Sequence, residues 1–162
     1  MNYSERLILE LKREGELTRR VLERVPQDKL SWKPHEKSMS LGQLALHTAG
    51  VPGGLAEFLD ERIREVPVVP LPEASSLTEI LSQYDEYMAI AENKLLLWGE
   101  AGLMETWKLT NEGIPILEGP RIEMVRTLML NHWYHHRGQL TVYLRLLEVP
   151  VPAIYGPSAE ES

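Results

Sequence analysis

The chain has 162 residues, 43% apolar and 25% charged, which is the composition of one soluble globular domain able to bury about 70% of its unfolded surface. Asp and Glu number 24 against 17 Lys and Arg, and the resulting formal charge of −7 argues against broad binding to a nucleic-acid backbone, which needs a basic face. The sequence has no cysteine, which excludes disulfides, thiolate metal ligands, Fe–S clusters and a Cys nucleophile together. Met1 to Arg6 carries no basic run leading into an apolar core, and apolar stretches such as Leu95 to Trp98 are far too short to span a bilayer. A cytoplasmic domain over residues 1–162 is expected, with neither nucleic acid nor membrane as a partner.

Helical periodicity opens at about Tyr3 and runs to Val25, with Leu7, Leu11, Thr18, Val21, Leu22 and Val25 on one stripe and Pro26 as the stop. Gln27 to Met39 reads as an ordered loop. Ser40 and Gln43 form a capping box, Ser-x-x-Gln, at the start of a second helix whose stripe is Leu41, Leu44, Thr48, Val51, Leu55 and Leu59. Pro52, Gly53 and Gly54 interrupt that stripe, and a kink or break is expected near Gly50 because proline removes one helical hydrogen bond and crowds the preceding turn. Val66 to Pro72 reads as an extended, Pro-rich linker. A second capping box, Ser76 with Glu79, starts a third helix that runs to about Trp98. Between Leu103 and Gly119, two short strands flanking Asn111-Glu112-Gly113 suggest a short or edge hairpin, since Pro115 cannot serve a central strand. The fourth helix follows Pro120 and runs to about Leu147, and the apolar tail Val149 to Ser158 is expected to pack back onto the body. Four amphipathic helices of this length predict an all-α four-helix bundle, with long connections and a short β-hairpin between helices three and four.

The fourth helix carries the chemistry. At about 100° per residue, Val125, Leu128, Met129, Gln139, Tyr143, Leu146 and Leu147 define its inward stripe. His132 falls in the middle of that stripe and His136 beside it, an i,i+4 pair that offers two imidazoles to one ion. His135 lies at the stripe's other edge, as a ligand or a neighbour. His47, beside the stripe of the second helix, is placed to supply a third nitrogen. Three histidines suit Zn, Ni, Fe, Mn or Cu and leave at least one coordination position open. The same residues can instead be core histidines bonded to backbone carbonyls, because imidazoles on an apolar face need partners for their nitrogens in either case. His35, between Pro34 and Glu36, is expected to be solvated.

The run Asn131-His132-Trp133-Tyr134-His135-His136-Arg137-Gly138-Gln139-Leu140, together with Ser40-Leu41-Gly42-Gln43-Leu44-Ala45-Leu46-His47 and the tail from Val151 to Ser158, resembles the DinB-like (DinB/YfiT) family. The likeness spans essentially the whole chain, and its HxxxHRGQ run is the specific part. It implies a four-helix bundle, commonly dimeric, with a divalent metal held by His47, His132 and His136, Zn or Ni first and Fe or Mn next. His135 then becomes a neighbour of the site. Relatives that join a low-molecular-weight thiol such as mycothiol or bacillithiol to an electrophile imply the same class of reaction here, the metal favouring the thiolate. Pro52-Gly53-Gly54 departs from the continuous helix expected there and bears on the shape of the pocket beside the metal.

Further assignments complete the reading. Gln139 either orients a ligand or water at the metal or bonds a neighbouring helix. Arg137 and Tyr134 point away from the stripe, toward solvent or an interface, and an exposed trio of Leu46, Trp133 and Tyr134 supports a homodimer. Trp32, Trp98, Trp107 and Tyr155 are packing residues or the wall of a pocket for an apolar electrophile. Two other functions fit the same residues, a metal-dependent hydrolase and a non-enzymatic bundle stabilised by its histidine cluster.

Overall fold

The computed structural model describes residues 2–160. Helix α1 spans Tyr3–Leu22, and Asn2 caps it reciprocally with Glu5, each side chain accepting the other's backbone N–H at 2.9 Å. The residues before Pro26 leave the helix a turn earlier than periodicity suggests, consistent with the bias of chain ahead of a proline away from helical backbone. Gln27–Lys29 adds one 3₁₀ turn inside the expected loop.

Helix α2 runs unbroken from Leu41–Asp60, so the break expected near Gly50 does not occur. The physical reason is local repair. Pro52 has no N–H for the carbonyl of Thr48, and the indole Nε1 of Trp133 donates to that carbonyl instead, at 3.0 Å. Gly53 serves packing, because a Cβ there would stand 2.6 Å from the backbone oxygen of Tyr87 on helix α3. Ser40 and Gln43 form the capping box as expected.

Strand β1, Ile63–Glu65, follows α2 directly and was not foreseen. It pairs in parallel with Lys108, Leu109 and Thr110 of strand β2 (Thr106–Asn111), which pairs antiparallel with strand β3 (Ile114–Pro120). The expected hairpin is therefore part of a mixed three-stranded sheet, with Pro115 on the edge strand as its missing N–H requires. Glu112 and Gly113, at φ of 50° and 76°, make the two-residue turn.

Helix α3 spans Leu77–Met104, and Gly99 (φ 53°, ψ −162°) breaks it just after Trp98, where the stripe ends. Its cap departs slightly from the expected box. Ser76 accepts from the Glu79 N–H, but the Glu79 carboxylate accepts from Ser75 rather than returning to Ser76. The final helical run is composite. Helix α4 (Arg121–Met124) passes into a π-helical stretch, Val125–Asn131, and then into helix α5, His132–Leu146.

That π stretch changes which residues face inward. A π turn inserts one residue into the helical repeat, so the buried stripe after it steps forward by one position. Trp133, Leu140 and Leu144 are fully buried where His132, Gln139 and Tyr143 were expected, and Leu146 is exposed. Trp133 and Leu46 are therefore core residues and Tyr134 is half-buried, so the exposed trio that supported a homodimer does not exist as a surface patch. The core joins all helices through Leu11, Leu44, Ile80, Met124, Met129 and Leu140, and burying each such side chain contributes about 1.5–3 kcal/mol. The tail returns as expected. Pro152 is buried, the Arg20 guanidinium donates to the Ala153 carbonyl, and the Tyr155 hydroxyl donates to Glu14 at 2.7 Å. Among the described residues no helix is long and apolar enough to cross a membrane.

Candidate metal centre

His47 projects from the second turn of α2, while His132 and His136 project from the first two turns of α5, just beyond the π stretch. The capping box of α2 fixes the phase of the first ring, and the i,i+4 spacing aligns the other two. The three Nε2 atoms converge. His47 to His132 is 3.3 Å and His132 to His136 is 2.6 Å, and one ligand atom from each of the three lies within 4.8 Å of the others. The three rings pack 4.5–5.3 Å apart. His136 is almost fully buried and the other two are half-buried.

The second nitrogens decide what this cluster can do. His136 Nδ1 lies 2.8 Å from the Gln139 side-chain oxygen, and His132 hydrogen-bonds the Leu128 backbone. With Nδ1–H donating to the Gln139 oxygen, His136 Nε2 keeps its lone pair. The His132 and His136 Nε2 atoms stand 2.6 Å apart, close enough to be offered to one shared cation. Burial, reinforced by the neighbouring imidazoles, holds the His136 pKa down to about 4. Burial likewise lowers His47, with His132 adding to it. It also lowers His132 against the opposing Leu128 hydrogen bond. The rings are accordingly neutral at pH 7, the form that binds metal. Zinc–nitrogen distances of 2.0–2.1 Å put tetrahedral neighbours about 3.3 Å apart. The His47–His132 separation matches that edge, and the His132–His136 pair stands closer. The donor set fits a divalent ion.

A cavity of about 390 Å³ opens beside His47 and His132. One wall is a single face of α2, formed by His47, Gly50, Val51, Gly54, Leu55 and Phe58 at helical spacing. The facing wall is the extended strap from Pro67 to Pro72, with Gln83 and Tyr87 of α3 between. The strap is tied at both ends. Val66 N–H donates to the Thr110 carbonyl at 2.8 Å, Gln43 Nε2 to the Leu71 carbonyl at 2.9 Å, and Ser40 Oγ to the Glu73 carboxylate at 2.6 Å. The two residues that cap α2 thus also hold the cavity's lid of chain in place. Among the described residues, no Lys, Arg, Asp or Glu lines the cavity.

The DinB family model matches residues 1–162. The chain belongs to the DinB family. An uncharacterized protein, YrdA, of Bacillus subtilis (strain 168) is 26% identical over 149 residues, covering 91% of this chain and 85% of that protein. Two solved structures share the fold. A DinB-like protein from Bacillus cereus ATCC 10987 superposes with a TM-score of 0.70 at 25% identity, over 91% of this chain and 94% of the other. A DinB-like protein from Bacillus subtilis gives 0.69 at 18% identity, over 94% and 96%.

The other singled-out residues divide between support and surface in this DinB protein. Gln139 is exposed, yet it touches the site through His136 Nδ1, fixing ring orientation and tautomer. His135 is exposed with its ring 5.0 Å from His136, and His35 is exposed, its ring accepting from the nearby Lys37 backbone N–H. Trp32 packs edge-on to Tyr143, Trp98 donates to Asp60, and Trp107 is wholly buried against Phe58.

Arg137 overturns its expectation. It is buried, pairing with Glu14 at 2.8 Å and donating also to the Glu14 carbonyl and the Thr18 hydroxyl. The π-induced step turned it inward. Sequence reasoning missed Glu14 altogether, although it stands on α1's apolar stripe between Leu11 and Thr18, where an acidic residue signals a buried partner. Tyr134, also read as outward-facing, donates to Glu10 at 2.8 Å, and Arg126 grips the same carboxylate with both nitrogens.

Proposed function

We propose that this DinB-family protein holds a divalent metal ion on His47, His132 and His136, Zn or Ni before Fe or Mn, and transfers a low-molecular-weight thiol to an electrophilic small molecule. The observation that carries the metal half is the convergence of three Nε2 atoms of neutral imidazoles, with His136 Nδ1 held by Gln139 and the His132 ring bonded to the Leu128 backbone. A divalent ion there supplies Lewis acidity, favouring the thiolate of a sulfur cosubstrate and making a nucleophile near pH 7 without any cysteine in the chain. The protein's part is to present three uncharged donors, keep the ring tautomers fixed and exclude water along an apolar wall. Among the described residues that wall is apolar and carries no carboxylate, a surface suited to the body of an apolar electrophile.

The test has two stages. Metal content by mass spectrometry on tag-free protein is expected to be near stoichiometric in the wild type and at background in His132→Ala. Absence from both, after reconstitution with Zn and with Ni, overturns the metal centre. A screen of thiols against electrophiles, beside esters and amides without thiol, then decides the reaction. Turnover that needs the thiol supports transfer, and ester or amide turnover without thiol replaces it with hydrolysis.

A further inference from the structure

Gly54 poses a question that packing does not answer. Glycine weakens a helix relative to alanine, so a helical glycine usually marks a close approach. Gly53 meets that description, with the Tyr87 backbone against it, and so does Gly50, where a Cβ would stand 2.8 Å from Gln83 Nε2. At Gly54 the nearest atom to an added Cβ is Tyr87 Cε1 at 3.6 Å, an ordinary contact. A larger residue would fit the backbone, but it would fill the cavity. Gly54 lies seven residues after His47, two turns along the same face. From His47 to Phe58 that face runs about 16 Å, at 1.5 Å per residue. The missing side chain therefore leaves a trough leading directly away from the histidines.

The chemistry of the trough selects its occupant. Val51, Leu55, Phe58 and the prolines of the strap give it an apolar wall, and among the described residues no lining side chain offers a full charge to neutralise an ionic group. Gln43 and Gln83 each donate one amide N–H to the Leu71 and Leu46 carbonyls, and neither carries a charge to pair with a carboxylate. Burying an unpaired charge there is strongly disfavoured, whereas burying alkyl or aryl surface is favoured.

We infer that the trough opened by Gly54 binds the uncharged alkyl or aryl body of a small-molecule substrate whose reactive end lies at the histidine cluster, making Gly54 the residue that sets the allowed size of that body. The inference rests on the proposed metal centre only for the position of the reactive end, and binding of the apolar body does not require metal. A ligand that carries a carboxylate along its length is rejected by the same wall.

The experiment uses the full-length chain, as purified and after chelation, with the neutral fluorophore N-phenyl-1-naphthylamine as probe and 1-octanol or octanoate as competitors. Saturable one-site binding is expected before and after chelation. Gly54→Leu is expected to weaken it by at least about tenfold, the effect of overfilling an apolar site. Glu57→Leu, on the exposed side of the same helix, should bind as wild type does. In the chelated protein octanol displaces the probe and octanoate does not. Metal content and circular dichroism of Gly54→Leu should match wild type, which separates loss of the trough from loss of the metal centre or the fold. Equal binding by wild type and Gly54→Leu, no saturable binding by wild type, or equal competition by octanoate and octanol overturns the inference. If metal is absent while the probe still distinguishes the variants, the metal centre fails and the trough stands.

Discussion

Two faces of helix α5 bury polar groups within one turn of each other, and they satisfy them in opposite ways. On one face Arg137 and Glu14 are both about 2% exposed, and each finds its counter-charge and further hydrogen bonds inside the protein. On the other, His136 bonds Gln139 through Nδ1, His132 bonds the Leu128 backbone, and their Nε2 atoms turn toward each other and toward His47. The first face is complete as it stands. The second has unused coordination capacity, which is what separates a structural polar cluster from one built to take a ligand. Burial alone does not distinguish them; what the last free lone pair points at does.

The contrast can be broken most forcefully at Glu14. Glu14→Ala strands the buried Arg137 guanidinium, a loss of about 3–5 kcal/mol. In a chain of this size that lowers Tm by on the order of 10 °C, measurable by calorimetry. If the two faces are independent, the folded variant still takes up metal. A metal-free but well-folded Glu14→Ala would show that the ion pair positions the histidines.

A smaller effect is expected on the other face. Gln139→Leu removes the partner of His136 Nδ1 and should weaken metal affinity by about 10–100-fold while leaving Tm of the metal-free protein nearly unchanged. Competition against a chromophoric chelator reads the affinity. Unaltered affinity would assign Gln139 to the surface alone.

The smallest effect is on acid stability, and it sharpens the comparison by sign. Burial lowers the folded-state pKa of His136 from 6.5 to about 4, so below pH 6.5 the unfolded chain takes up the proton first. Metal-free protein should therefore lose stability as the pH falls from about 6.5 toward 4, and be level above that window. Burial pulls the Glu14 carboxyl upward, but hydrogen bonds from Tyr155 and Arg137 outweigh it and leave the pKa below 4.5. Its contribution is present above that value and disappears only as the pH falls through the lowered pKa. Urea midpoints across pH 4–7 should thus decline on the histidine side first, and a His136→Ala variant should flatten that decline.

How much of this was legible in the sequence varies with the range of the interactions. The caps of α2 and α3, the end of the regular helix at Trp98 and the i,i+4 histidines are set by residues within one or two turns, and a single chain displays them. His47 lies with His132 and His136 in the structure, and its distance from His132 was not readable in the sequence, since 85 residues separate them. The inward stripe of α5 was off by one position, because a π turn leaves no plain mark in composition and shifts everything after it. Arg137 was misplaced for that reason. Pro52 misled in the opposite direction, since its damage is repaired by an indole 81 positions away in sequence (from 52 to 133).

The sequence by itself determined four amphipathic helical segments, the absence of any cysteine chemistry and a histidine pattern that only a few sites use, because periodicity, composition and short spacings are local properties. The tertiary structure alone decided that β1 pairs with β2 across more than 40 residues, that Arg137 meets Glu14, and that Gly54 leaves a trough where a side chain would fit. Those outcomes depend on which surfaces meet, and a chain read one window at a time holds each partner without the geometry that joins them.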